Sequence, residues 1–169
     1  MNLKPEEIES IEDAGILNNQ PVKMIRTKGG FWMAVGRPKG KLQQEALTAG
    51  SHPAIVKYNL EKQYPDFQPA MMKSEHFADD IKVDRHSHFL SDDLRKSGHD
   101  IYSVQKGADI EFQITKHNAE VHSVKAVIQD DAIVLKGMNI DKKFARGMAG
   151  ATTEKALEFG SKKIRVEAK

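Results

Sequence analysis

Between Asp109 and Leu135 the chain alternates apolar and polar residues with a period of two, and no other feature restricts its fold as much. Ile110, Phe112 and Ile114 alternate with Asp109, Glu111, Gln113 and Thr115; Val124, Ala126 and Ile128 repeat the pattern, and Ile133 and Leu135 continue it. Successive side chains of an extended strand point to opposite faces, so this spacing describes strands with one face buried. Residues 108–116, 119–128 and 131–138 are read as three strands of an antiparallel meander, with turns at Lys116–Asn118 and Asp130–Asp131. The period then changes. Phe144, Met148, Ala151, Lys155 and Phe159 fall along one side of a helix over 141–159, with Gly160 as its C-cap. Ile164 to Val166 make a last short strand, which completes a β-β-β-α-β unit.

The N-terminal half is punctuated differently. Pro5 and the acids after it predict a short helix with Leu3, Ile8 and Ile11 on its apolar side and Gly15 as its stop. Two apolar runs, 22–27 and 31–35, flank Gly29-Gly30 and predict a β-hairpin. Short helices are expected over 41–49 and 53–63, the second opened by Pro53. Residues 64–100 are polar, carry Pro65, Pro69 and four histidines, and read as a long loop or linker. The expected class is α+β: an N-terminal β-hairpin with short helices, then an antiparallel β-meander followed by helix and strand. The corresponding organisation is 1–63, a linker over 64–100, and 101–169, or all of these as one domain.

Several chemistries are excluded by composition. With no cysteine in 169 residues there is no disulfide, thiolate zinc site or cysteine nucleophile. No eighteen apolar residues run together and the N-terminus lacks a signal-like apolar run, so a cytoplasmic protein without a membrane partner is expected. No cofactor-binding signature is complete. Charge is segregated. Residues 1–20 hold five acids against Lys4, while residues 21–42 hold six bases and no acid. Such blocks either present opposite fields on the surface or pair with each other. Arg26, Lys28, Arg37, Lys39 and Lys41 flank the only tryptophan, Trp32. Cations that neutralise phosphates beside an aromatic face that stacks on a base make these six residues the candidate nucleic-acid contacts. Gly36-Arg-Pro-Lys39 resembles the Gly-Arg-Pro core of an AT-hook, with Val35 where the hook carries arginine.

His86 and His88, in Asp84-Arg-His-Ser-His88, resemble the His-x-His metal motif of amidohydrolases and of polymerase-and-histidinol-phosphatase-type phosphoesterases. They are the candidate metal ligands, with Asp92, Asp93 and His99 as additional donors. Two resemblances cover the C-terminal quarter. The run from Ile128 through Asp131 to Leu135, then Ala151 to Phe159-Gly160 and Lys163-Ile-Arg-Val166, resembles a large polyvalent protein-associated domain of phage and conjugative elements, with Ala132 in place of its customary glycine. It implies a non-enzymatic accessory protein that binds DNA, RNA or a protein assembled on them. Phe144-Ala-Arg-Gly147-Met-Ala149 before the helix is similar to motif A of GNAT-superfamily acetyltransferases, with Phe144 where Arg or Gln belongs. That implies acyl transfer from coenzyme A. A protein-docking structural or inhibitor role is the third expectation.

Overall fold

The computed structural model describes residues 4–70, 81–137 and 139–167. The chain divides into two compact units, Met1–Asp79 and Asp80–Lys169. The fold is α+β and mostly β, with a five-stranded sheet and a six-stranded sheet. No helix among the described residues is long and apolar enough to cross a membrane.

The first unit is an antiparallel sheet of β1 (Ile8–Leu17), β2 (Gln20–Thr27), β3 (Trp32–Gly36), β4 (Glu45–Gly50) and the two-residue β5 (Gln68–Pro69), in the order β4-β3-β2-β1-β5. Helix α1 (Pro53–Gln63) follows β4. Its N-cap, His52, accepts the Ala54 N–H at 3.0 Å, and Pro53 occupies the first position as its fixed φ favours. Val56 and Leu60 of α1 pack with Val22, Met24, Trp32, Ala34 and Leu47 of the sheet.

The helix expected at the N-terminus is instead a single 3-10 turn, Pro5–Glu7, leading into β1. Asn18 and Asn19, with φ of 51° and 63°, form a two-residue turn whose twist suits a hairpin, so β1 folds back on β2. Gly15 ends no helix. It sits at a bulge in β1 with φ 152°, and a Cβ there would collide with the Gln68 carbonyl oxygen of β5. The helix expected over 41–49 is also absent: β4 pairs with β3 and buries Leu47, so pairing overrides local preference. The hairpin around Gly29-Gly30 and the helix from Pro53 form as expected.

In the second unit the order is β11-β10-β9-β8-β7-β6, from β6 (Ile81–Arg85), β7 (His99–Lys106), β8 (Asp109–Lys116), β9 (Ala119–Gln129), β10 (Ala132–Lys136) and β11 (Lys163–Glu167). Only the β10–β11 pair is parallel among the described strands, and the crossover it requires is α3 (Ala145–Glu158). Ser161 N–H closes on the Ala156 carbonyl at 2.8 Å, which ends α3 at Gly160 in a Schellman-type cap. The inward residues Ile101, Ile110, Phe112, Ile114, Val124, Ala126, Ile133 and Leu135 pack against Phe144, Met148, Ala151 and Ala156. Burying a side chain such as Phe144 or Met148 is worth about 1.5–3 kcal/mol, and this layer holds the helix on the sheet.

The stretch read as a linker departs from that expectation over 81–100. It carries β6, a 3-10 turn at Ser87–Phe89, α2 (Asp92–Lys96) and the start of β7. Residues 71–80 of it lie outside the described residues. Strand β7 escapes the alternation rule because two of its inward positions are polar: His99 and Ser103 flank Ile101, and all three are buried. His99 is satisfied by the Leu94 carbonyl, 3.2 Å from Nδ1.

Candidate functional site

The six candidate nucleic-acid contacts are distributed by the first sheet rather than gathered by it. Glu9 of β1 forms an ion pair with Arg26 of β2 at 3.4 Å, and Asp13 pairs with Lys23. The acidic block and the first two bases of the basic block therefore lie on neighbouring strands, where Asp13 and Glu9 neutralise Lys23 and Arg26. Arg26 also stands 5.4 Å from the centre of the Trp32 ring. Trp32 is only 8% exposed, so it serves the core and presents no open face to a base. Lys28 lies in the β2–β3 turn, at the opposite end of β3 from Arg37, Lys39 and Lys41. At 3.3 Å per residue that is roughly 15 Å of strand.

Arg37, Lys39 and Lys41 do share one place, the β3–β4 loop. Lys41 N–H bonds to the Pro38 carbonyl at 3.1 Å, and Gly40 has φ 81°, the positive value a type II turn needs at its third residue. Lys39 and Lys41 are exposed beside Leu42, itself 92% exposed. Residues 37–44 contain no acid, and none of the three cations has an ion pair among the described residues.

The candidate metal ligands lie in the second unit, where β6, β7 and α3 meet. His86 is fully buried. Its Nδ1 is 2.8 Å from Oε1 of Glu154 and its Nε2 is 2.8 Å from the Ser103 hydroxyl. A carboxylate oxygen only accepts, so Nδ1–H donates to Glu154 and Nε2 accepts from Ser103 in the neutral imidazole. Burial is the largest influence and holds the His86 pKa below its ordinary value, against the upward pull of Glu154 and Asp84. His88, half in solvent, reaches the other Glu154 oxygen at 3.2 Å. Both ring nitrogens of His86 are occupied by protein groups. Asp92 pairs with Arg95, while His99 is bonded to the Leu94 carbonyl. Among the described residues no three His, Cys, Asp or Glu side chains are placed to hold a metal ion.

Beside this histidine lies a second buried polar group, the ammonium of Lys155 on α3, whose side chain is fully enclosed. It donates to Asp84 at 2.8 Å and to Glu158 at 2.9 Å, and Lys82 also pairs with Glu158. Burial raises the Glu158 pKa, but the hydrogen bonds from Lys155 and Lys82 outweigh it and leave the carboxyl below its usual range.

Sequence reasoning named His86 and His88 but missed Ser103, Glu154, Lys155 and Asp84. One signal was available: Lys155 falls on the apolar stripe of α3, and a charge there requires buried partners. Ser103, His86 and Glu154 follow the order of a nucleophile, base and orienting acid. Ser103 and His86 have no exposed surface, however, so no substrate reaches the hydroxyl and the bonds tie β6, β7 and α3 together. Gly147 is equally occupied by packing: a Cβ there would lie 2.7 Å from Ile101 and 2.8 Å from Leu90. No protein-family model, curated protein or solved structure matches the chain.

Proposed function

We propose that this chain is a non-enzymatic accessory protein of a phage or mobile element that contacts nucleic acid, or a protein complex assembled on it, through the β3–β4 loop of its first unit. One observation carries the reading: Arg37, Lys39 and Lys41 occupy a single acid-free turn without ion pairs among the described residues, whereas Lys23 and Arg26 are spent on β1. The likeness of the C-terminal quarter to large polyvalent protein-associated domains supports the biological setting.

Each neutralised phosphate releases counterions, so three contacts imply a log–log salt slope of about −2.7 on duplex DNA and about −2 on a single strand. Fluorescence anisotropy with labelled duplex and single-stranded oligonucleotides at several salt concentrations measures this. Lys39→Ala with Lys41→Ala should flatten the duplex slope by roughly 1.8. Arg26→Ala should leave it almost unchanged, since that guanidinium already faces Glu9. Binding that ignores salt, or no binding to any oligonucleotide, refutes direct contact with nucleic acid through this loop.

A further inference from the structure

Strand β11 is the outermost strand of the six-stranded sheet, and all five of its residues are exposed. Its neighbour β10 is the reverse, with Ala132 to Leu135 all buried. Parallel pairing sets Ile164 beside Ile133 and Val166 beside Leu135, so the apolar face of the sheet continues onto the edge. There it is uncovered: Ile164 is 43% and Val166 58% exposed. The ladder to β10 begins with Lys163 N–H on the Asp131 carbonyl at 3.2 Å. Backbone groups alternate sides along a strand, so the N–H and C=O of Ile164 and Val166 point off the sheet. A free ladder with apolar side chains on one face is a template for one more strand.

We propose that the added strand is β11 of a second copy of this chain, paired antiparallel about a two-fold axis through Arg165. The segment Lys163-Ile-Arg-Val-Glu167 is complementary to itself in that register. Ile164 lies opposite Val166 of the copy twice over, at the positions whose backbone groups are free. On the other face Lys163 lies opposite Glu167 of the copy, again twice, and would share that carboxylate with Lys136 of β10, which pairs with it at 2.8 Å. Arg165 meets its own equivalent, the single unfavourable pair, with Glu167 of the copy as its diagonal neighbour. Reversal of acid and base along five residues is what an isologous contact requires, and an unrelated strand would have no reason to match it. The contact joins two six-stranded sheets into one, independently of any nucleic acid.

Sedimentation equilibrium of the full chain between about 5 and about 300 µM tests the proposal, because a strand pair of this size falls below the standard interface and predicts weak association. Val166→Lys should weaken the dimer at least about tenfold, and Arg165→Thr, which removes the directly opposed like charges and loses only the more distant diagonal to Glu167, should tighten it severalfold. Both sites are exposed, so circular dichroism should show both variants folded. A protein still monomeric at about 300 µM overturns the proposal and leaves this edge to a strand of a different protein. A dimer indifferent to Val166→Lys, or weakened by Arg165→Thr, also overturns it, because the contact then lies elsewhere or in another register.

Discussion

Replacing His86 with leucine tests whether the buried triad of His86, Ser103 and Glu154 holds the second unit together. Leucine is apolar and cannot bond to Ser103. The Ser103 hydroxyl, which has no exposed surface, then keeps no partner in place of Nε2 at 2.8 Å. An orphaned buried hydroxyl costs about 1–3 kcal/mol. Glu154 loses less, because its side chain is 43% exposed and keeps both water and His88. A loss of about 2 kcal/mol is therefore expected for His86→Leu. Adding Ser103→Ala removes the orphan, and the double variant should recover to within about 1 kcal/mol of the original protein. The same histidine sets an acid limit. Its folded pKa lies below the unfolded 6.5, so its contribution is complete above pH 6.5 and is lost as pH falls toward the folded value. One proton makes that slope at most about 1.4 kcal/mol per pH unit, and His86→Leu should abolish this component. Glu154, Asp84, Lys155, Ser103 and His88 surround the ring. Urea denaturation at pH 7.5 and 5.5, read by hydrogen exchange of β7 and α3, isolates the second unit. A double variant no more stable than His86→Leu, or equal acid slopes with and without the imidazole, would refute the reasoning.

Asp84→Ala should cost about 1–3 kcal/mol, since Lys155 keeps Glu158, whereas Asp84→Ala with Glu158→Ala strands a buried cation and should cost about 3–5 kcal/mol or more in the same melts. Glu158 titrates below its ordinary 4.5, so the stability from its lysine pairs is present above pH 4.5 and lost as pH falls through its folded value; Glu158→Gln should flatten the acid limb there. Gly15→Ala should cost more than about 2 kcal/mol in the first unit, followed by Trp32 fluorescence, because its Cβ meets the rigid Gln68 carbonyl and its φ of 152° disfavours a side chain. Gly147→Ala should cost less, about 1–2 kcal/mol, because the ends of Ile101 and Leu90 can turn aside.

What the sequence alone determined was periodic. Strands β8 to β10, α3 with its Gly160 stop, the hairpin at Gly29-Gly30 and α1 at Pro53 all follow from local spacing, caps and turns, which act between residues near in the chain. Tertiary structure decided where pairing across the chain overrode those preferences. The acids after Pro5 suit a helix start, but Asn18-Asn19 folds β1 back so that Asp13 and Glu9 meet Lys23 and Arg26, and a cationic run that reads as one patch becomes two neutralised residues, Lys28 at the far end of β3 and a loop of three. Strand β7 and the buried pairs of His86 and Lys155 were equally hidden. A polar residue is legible as core only when its partner is known, and here Glu154 and Asp84 lie 68 and 71 residues away in the chain.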